Sequence, residues 1–91
     1  PPYPIALRGR AAWVEARRGD RARAIDLMKK IVADEPDYAW GWRQLAGWYD
    51  AEGRPRDFLD AADQLVRLNP DDPFAHGLRG EAKRVLGDHR G

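Results

Sequence analysis

Glycine and proline recur in this chain at one fixed interval, and that interval constrains the fold more than any other feature. Gly19, Gly53 and Gly87 stand 34 residues apart, and Pro2, Pro36 and Pro70 keep the same step. Each type interrupts regular structure for a backbone reason, glycine by admitting left-handed turns and proline by lacking an N–H. Two independent punctuators in one register indicate a repeated unit, and a period of this size belongs to stacked supersecondary units. Setting residues 5–38 over 39–72 pairs Ala12 with Ala46, Asp26 with Asp60, Val32 with Val66 and Asp37 with Asp71; Ile25/Leu59 and Ile31/Leu65 are similar pairs.

Each unit reads as two helices. Between Asp20 and Pro36, Ile25, Met28, Ile31 and Val32 recur at steps of three and four, one apolar face of an amphipathic helix. The second unit repeats the pattern with Phe58, Leu59, Ala62, Leu65 and Val66, entered after Gly53-Arg54-Pro55 and closed at Asn69-Pro70. Its preceding helix carries Trp42, Leu45, Trp48 and Tyr49. A last helix starts at Asp72-Pro73, a cap followed by a first-turn proline, and runs through Leu78, Ala82, Val85 and Leu86 to Gly87. The spacing predicts five helices, at 5–18, 21–34, 38–52, 55–68 and 73–86.

The composition narrows the chemistry. Ninety-one residues hold one domain with a thin core, and 43% hydrophobic, 34% charged and 10% aromatic content with a net charge of +1 describes a soluble globular chain. The sequence contains no cysteine, serine or threonine. Acyl transfer through those nucleophiles, disulfides and cysteine zinc sites are therefore excluded within it. No apolar run reaches the roughly 18 residues of a membrane helix, and Pro1-Pro2-Tyr3-Pro4 is not a signal sequence. The expected setting is cytoplasmic, as a segment of a longer protein.

The 34-residue helix–turn–helix unit resembles the tetratricopeptide repeat. Trp42-x2-Leu45-Ala46-x2-Tyr49 is similar to that family's W-x2-L-G-x2-Y signature, and Pro70 falls at its closing proline. The A-x3-F element appears as Ala24-x3-Met28, then with its sizes exchanged as Phe58-x3-Ala62. The first unit departs, with Arg8, Ala11 and Glu15 where Trp, Leu and Tyr are usual. The third has Gly80 at the small position, a turn at Leu86-Gly87-Asp88 and no partner helix, with Arg79 and Lys83 on the face where that partner would pack. The resemblance implies an all-α, right-handed α-solenoid of antiparallel helical hairpins, one domain over 1–91. Repeat 1 is then 5–38, repeat 2 is 39–72, and 73–91 is a half repeat or capping helix.

For function, the resemblance implies a protein-interaction module that binds a partner's peptide or helix in a concave groove lined by each unit's first helix. The family's groove positions fall on Ala6, Gly9, Trp13, Ala16 and Arg17; on Trp40, Arg43, Gly47, Asp50 and Ala51; and on Phe74, Gly77, Glu81, Arg84 and Val85. Trp13, Arg17, Trp40, Arg43, Asp50, Phe74 and Glu81 are the expected groove residues, with aromatics and arginines as anchors. The competing reading packs Trp13 and Trp40 into the core beside Trp42, Trp48 and Tyr49. Chaperone-tail clamping by Lys and Asn is not expected, because Gly9, Trp13, Arg43 and Gly47 occupy those positions. The alternative function is a structural spacer or self-association element.

Charge is segregated: residues 1–30 carry +5, 31–72 carry −6 and 73–91 carry +2. The basic start, Arg8, Arg10, Arg17, Arg18, Arg21 and Arg23, suits phosphates or an acidic partner, or is simply a solvated face. Nothing reads bases, so nucleic acid is a minor alternative to a protein partner. His76 lies one turn after Asp72, but no third ligand completes a metal site, and capping explains the spacing. No catalytic residue, metal, cofactor or small-molecule substrate is expected, and the chain is read as a non-enzyme.

Overall fold

The computed structural model describes residues 4–90, with side chains through residue 87. Pro2, first of the proline series, and the side chain of His89 lie outside the described residues. The fold is all-α: α1 Ile5–Arg17, α2 Arg21–Asp34, α3 Ala39–Ala51, α4 Pro55–Leu68 and α5 Pro73–Arg90. No strand occurs among the described residues. The helices pack in chain order, α1 on α2, α2 on α3, α3 on α4 and α4 on α5. The resulting slab measures 46 × 30 × 17 Å.

The sequence period is written into the backbone. Gly19 and Gly53 both take positive φ, at 95° and 66°. Each closes its helix with paired turn bonds: Gly19 N donates to Ala16 O and Asp20 N to Glu15 O, while Gly53 N donates to Asp50 O and Arg54 N to Tyr49 O. These are the bonds of a Schellman ending, which a left-handed residue makes possible. The residues that follow match as well, Asp20 at φ −103°, ψ 70° and Arg54 at φ −113°, ψ 76°. So do those before the prolines, Glu35 at φ −130°, ψ 79° and Asn69 at φ −145°, ψ 83°. The ring of a following proline excludes the helical conformation there, so α2 and α4 both stop one residue short of it.

Helix starts use local chemistry. Asp20 caps α2, its Oδ1 accepting from Arg23 N at 3.0 Å. Pro55 opens α4 at its first turn. Asp72 caps α5, its Oδ1 accepting from Phe74 N at 2.9 Å. The spacing of Asp72 and His76 is thus a cap, while His76 Nε2 lies against Pro70 O.

One core cluster runs from Ala12 through Ile25, Met28, Ile31 and Val32 to Leu45, Ala46, Tyr49, Phe58 and Ala61, ending at Ala82. The exchanged pair is accommodated without exposure: Ala24, Met28, Phe58 and Ala62 are all buried. Tyr49 is buried as expected; Trp42 and Trp48 are half-buried and flank the core. Trp42 keeps its polar edge satisfied, Nε1 donating to Pro36 O at 2.7 Å.

Three features differ from the expected pattern. α1 and α3 end at Arg17 and Ala51, one residue early, and Tyr38 stands outside α3 as its N-cap residue. Gly87 is no turn, because α5 continues through it to Arg90. A hairpin turn is imposed by a second helix packing back, and among the described residues none follows α5. Arg79 also differs: its Nε lies 3.0 Å from Asp63 Oδ1, so it faces α4 rather than solvent alone. α5 buries Ala75 and Ala82 and leaves His76, Gly80 and Lys83 exposed. No described helix is long and apolar enough to cross a membrane.

Candidate functional site

An open hollow of about 660 Å³ lies between α1 and the start of α3. Ala6, Leu7, Arg10 and Trp13 line it from α1, and Tyr38, Trp40 and Gln44 from the start of α3. Two of its walls, Tyr38 and Trp40, pack directly on Gly9. A Cβ there would stand 2.5 Å from Tyr38 Oη and 3.0 Å from Trp40 Cζ3, so a glycine lets both rings close down against α1. Tyr38 and Trp40 in turn meet at a tilt of 41°, centroids 5.9 Å apart, a favourable aromatic arrangement. Burial raises the Tyr38 phenol above its ordinary pKa of 10.0, so it is a neutral hydrogen-bonding group at physiological pH.

Trp13 is half-buried and Trp40 is 38% exposed, so neither is sealed in the core. The Arg10 and Arg17 guanidinium carbons lie 5.7 and 5.3 Å from the Trp13 ring centroid. Arg43 lies 4.4 Å from the centroid of Phe74, which is 47% exposed, so it bridges α3 to α5. Such cation–π contacts are each worth about 0.5–1 kcal/mol at exposed sites, enough to orient a long side chain.

The expected groove residues therefore divide. Trp13 and Trp40 share the hollow, Arg17 lies over Trp13, and Arg43 and Phe74 form a neighbouring stack. Asp50 and Glu81 are exposed and do not line the hollow. Glu81 is held by Arg84, 2.5 Å from its Nη2, and that hydrogen bond lowers the Glu81 carboxyl below its ordinary value. Leu7, Arg10, Tyr38 and Gln44 were not among the expected groove residues. Arg10 carried a readable signal, being three residues before Trp13 and seven before Arg17 and so on one helical face. Tyr38 did not, since its placement depends on lying just outside α3.

The basic start is largely neutralised in three dimensions. Arg8 reaches Asp34 at 2.9 Å and Arg21 reaches Glu52 at 3.4 Å, while Arg18 and Arg23 both approach Glu15 at 3.8 Å. Among the described residues no group of three or more His, Cys, Asp or Glu side chains converges to hold a metal.

Against known families, the tetratricopeptide repeat profile matches residues 15–82, from the last turn of α1 well into α5. The chain belongs to the tetratricopeptide repeat family. Comparison with curated proteins gives no match. Tetratricopeptide repeats in general mediate protein–protein interaction, and the family is typically a non-enzymatic interaction module. In this tetratricopeptide array, Leu45, Ala46 and Tyr49 of the signature are buried, whereas Trp13, Trp40 and Phe74 remain accessible. Leu7 and Val14, one repeat before Gly41 and Trp48, are 57% and 37% exposed.

Proposed function

We propose that this chain is a protein-interaction module within a larger protein, a single domain over 1–91 that binds a partner's peptide or helix in the groove formed by its first helices. The observation behind the reading is the open hollow where Trp13, Tyr38 and Trp40 present aromatic surface to solvent. Aromatic rings in a partly desolvated depression are the side chains that dominate binding energy when a partner covers them. Trp13, Arg17, Trp40, Arg43 and Phe74 carry the contact; Asp50 and Glu81 belong to its rim. The test is affinity capture from source-cell lysate with the wild-type chain and a Trp40→Ala/Arg43→Glu variant shown to remain helical. A partner held by the wild type and lost by the variant supports the groove, and a partner held equally by both refutes it.

A second reading, self-association, has one observation in its favour. Leu7 and Val14 are exposed on α1, while their equivalents one repeat on are covered, Gly41 packed against Val32 and Met28 of α2 and Trp48 half-buried. Sedimentation equilibrium distinguishes it: a mass that rises with concentration and falls back in Leu7→Glu/Val14→Glu favours self-association, and a monomer throughout excludes it.

A further inference from the structure

The three arginines of the hollow and its neighbouring stack differ from most others in the molecule. Arg8, Arg21, Arg54, Arg67 and Arg79 each lie within 3.4 Å of a carboxylate oxygen. Arg10, Arg17 and Arg43 have no carboxylate partner among the described residues, and each lies over an aromatic ring instead. Arg56, on α4, is the one further described arginine without such a partner, and it lies outside the hollow. Arg10 thus lines the apolar hollow, Arg17 shares the Trp13 ring with it, and Arg43 lies on Phe74 further along the first helices, three positive side chains set against rings rather than carboxylates.

A guanidinium stacked on a ring satisfies its face but leaves its N–H edge free to donate, and that edge matches a carboxylate in a two-point hydrogen bond. Stacking also restrains the side chain before any ligand arrives, reducing the entropy lost on binding. The depression beside Arg10, lined by Ala6, Leu7, Trp13, Tyr38 and Trp40, suits a large apolar side chain.

We infer that the groove's occupant is an acidic peptide segment that seats one aromatic or branched aliphatic side chain in the Trp13–Tyr38–Trp40 hollow and sets carboxylates against Arg10, Arg17 and Arg43. This rests on the groove reading proposed above and adds to it the partner's chemistry.

The test is selection of random twelve-residue peptides displayed on phage against the immobilised chain, with Trp40→Ala as the counter-selection. The enriched peptides are then synthesised and titrated by calorimetry. The expected consensus holds two or more Asp or Glu flanking one Phe, Trp, Leu or Ile. Its affinity falls about tenfold or more in Arg17→Glu/Arg43→Glu, less in Arg17→Gln/Arg43→Gln, and weakens with added salt. A basic or uncharged consensus, or an acidic one indifferent to both arginine variants, overturns the acidic partner while leaving the groove standing. No peptide that distinguishes wild type from Trp40→Ala overturns the groove and this inference together. Tighter binding of a single-stranded oligonucleotide than of any selected peptide replaces the peptide with phosphate.

Discussion

Two glycines six residues apart on α3 are predicted to respond in opposite directions to the same substitution. Gly47 is exposed with nothing within 4 Å of the position a Cβ would take, so Gly47→Ala gains helix propensity and meets no obstacle. It is expected to stabilise by about 0.5–1 kcal/mol. At Gly41 the added Cβ stands 2.9 Å from Tyr38 Cδ2, 3.0 Å from Val32 Cγ1 and 3.2 Å from Met28 Sδ. Val32 and Met28 are 4% and 0% exposed and already packed, so they have little room to yield. Overpacking of this kind costs about 1–3 kcal/mol, which outweighs the propensity gain and leaves Gly41→Ala destabilised by about 1–2 kcal/mol. A separation near 2 kcal/mol between the variants corresponds to about 8–16 °C in Tm for a domain of this size. Thermal unfolding followed by far-ultraviolet circular dichroism measures it. Equal stability of the two variants would show that α3 does not lie on α2 as described, and would undo the stacking of the first repeat on the second.

Phe58 is 1% exposed and takes the large place in the exchanged pair, so Phe58→Ala is expected to lose about 3–5 kcal/mol, read as a lower urea midpoint. A loss below about 1 kcal/mol would contradict its burial. Asp20→Ala removes the α2 cap and is expected to cost about 1 kcal/mol in the same assay. Burial first, and then the carboxylates of Asp57, Asp60 and Asp26 against the opposing Arg54, raise the Tyr49 phenol above its ordinary 10.0. A raised pKa favours the neutral form in the folded state. Stability from Tyr49 is therefore complete below pH 10 and lost as pH rises through the folded value. Absorbance at the tyrosinate band should show Tyr49 ionising together with loss of helix, and Tyr49→Phe should move that transition to higher pH.

The sequence disclosed its repeat because glycine and proline act through the backbone, without reference to distant contacts. Gly19 and Gly53 turn where their spacing places them, and Pro36 and Pro70 force the same extended residue before them. Gly87 shares the spacing but not the conformation, since a left-handed turn is held in place by a following helix and a mid-helix glycine costs only about 1 kcal/mol. Trp13 and Trp40 could be placed on one surface from helical register, but whether they were covered depended on packing between units. Gly9 decides that by letting Tyr38 and Trp40 approach α1, a distance no periodicity contains. Charge was the least legible property. Of the basic start, Arg8, Arg18, Arg21 and Arg23 are answered by Asp34, Glu15 and Glu52, and only in three dimensions do Arg10 and Arg17 emerge as unpaired by carboxylates among the described residues.

The four tryptophans offer the most direct test, because each indole N–H gives its own signal in a proton–nitrogen correlation spectrum. The account predicts that a bound partner peptide shifts the Trp13 and Trp40 indole signals together. Trp42, tied to the Pro36 carbonyl, and Trp48, packed beside the core, should remain nearly in place. Shifts centred on Trp48 or Trp42 with Trp13 and Trp40 unmoved would contradict it and place the binding surface on another face.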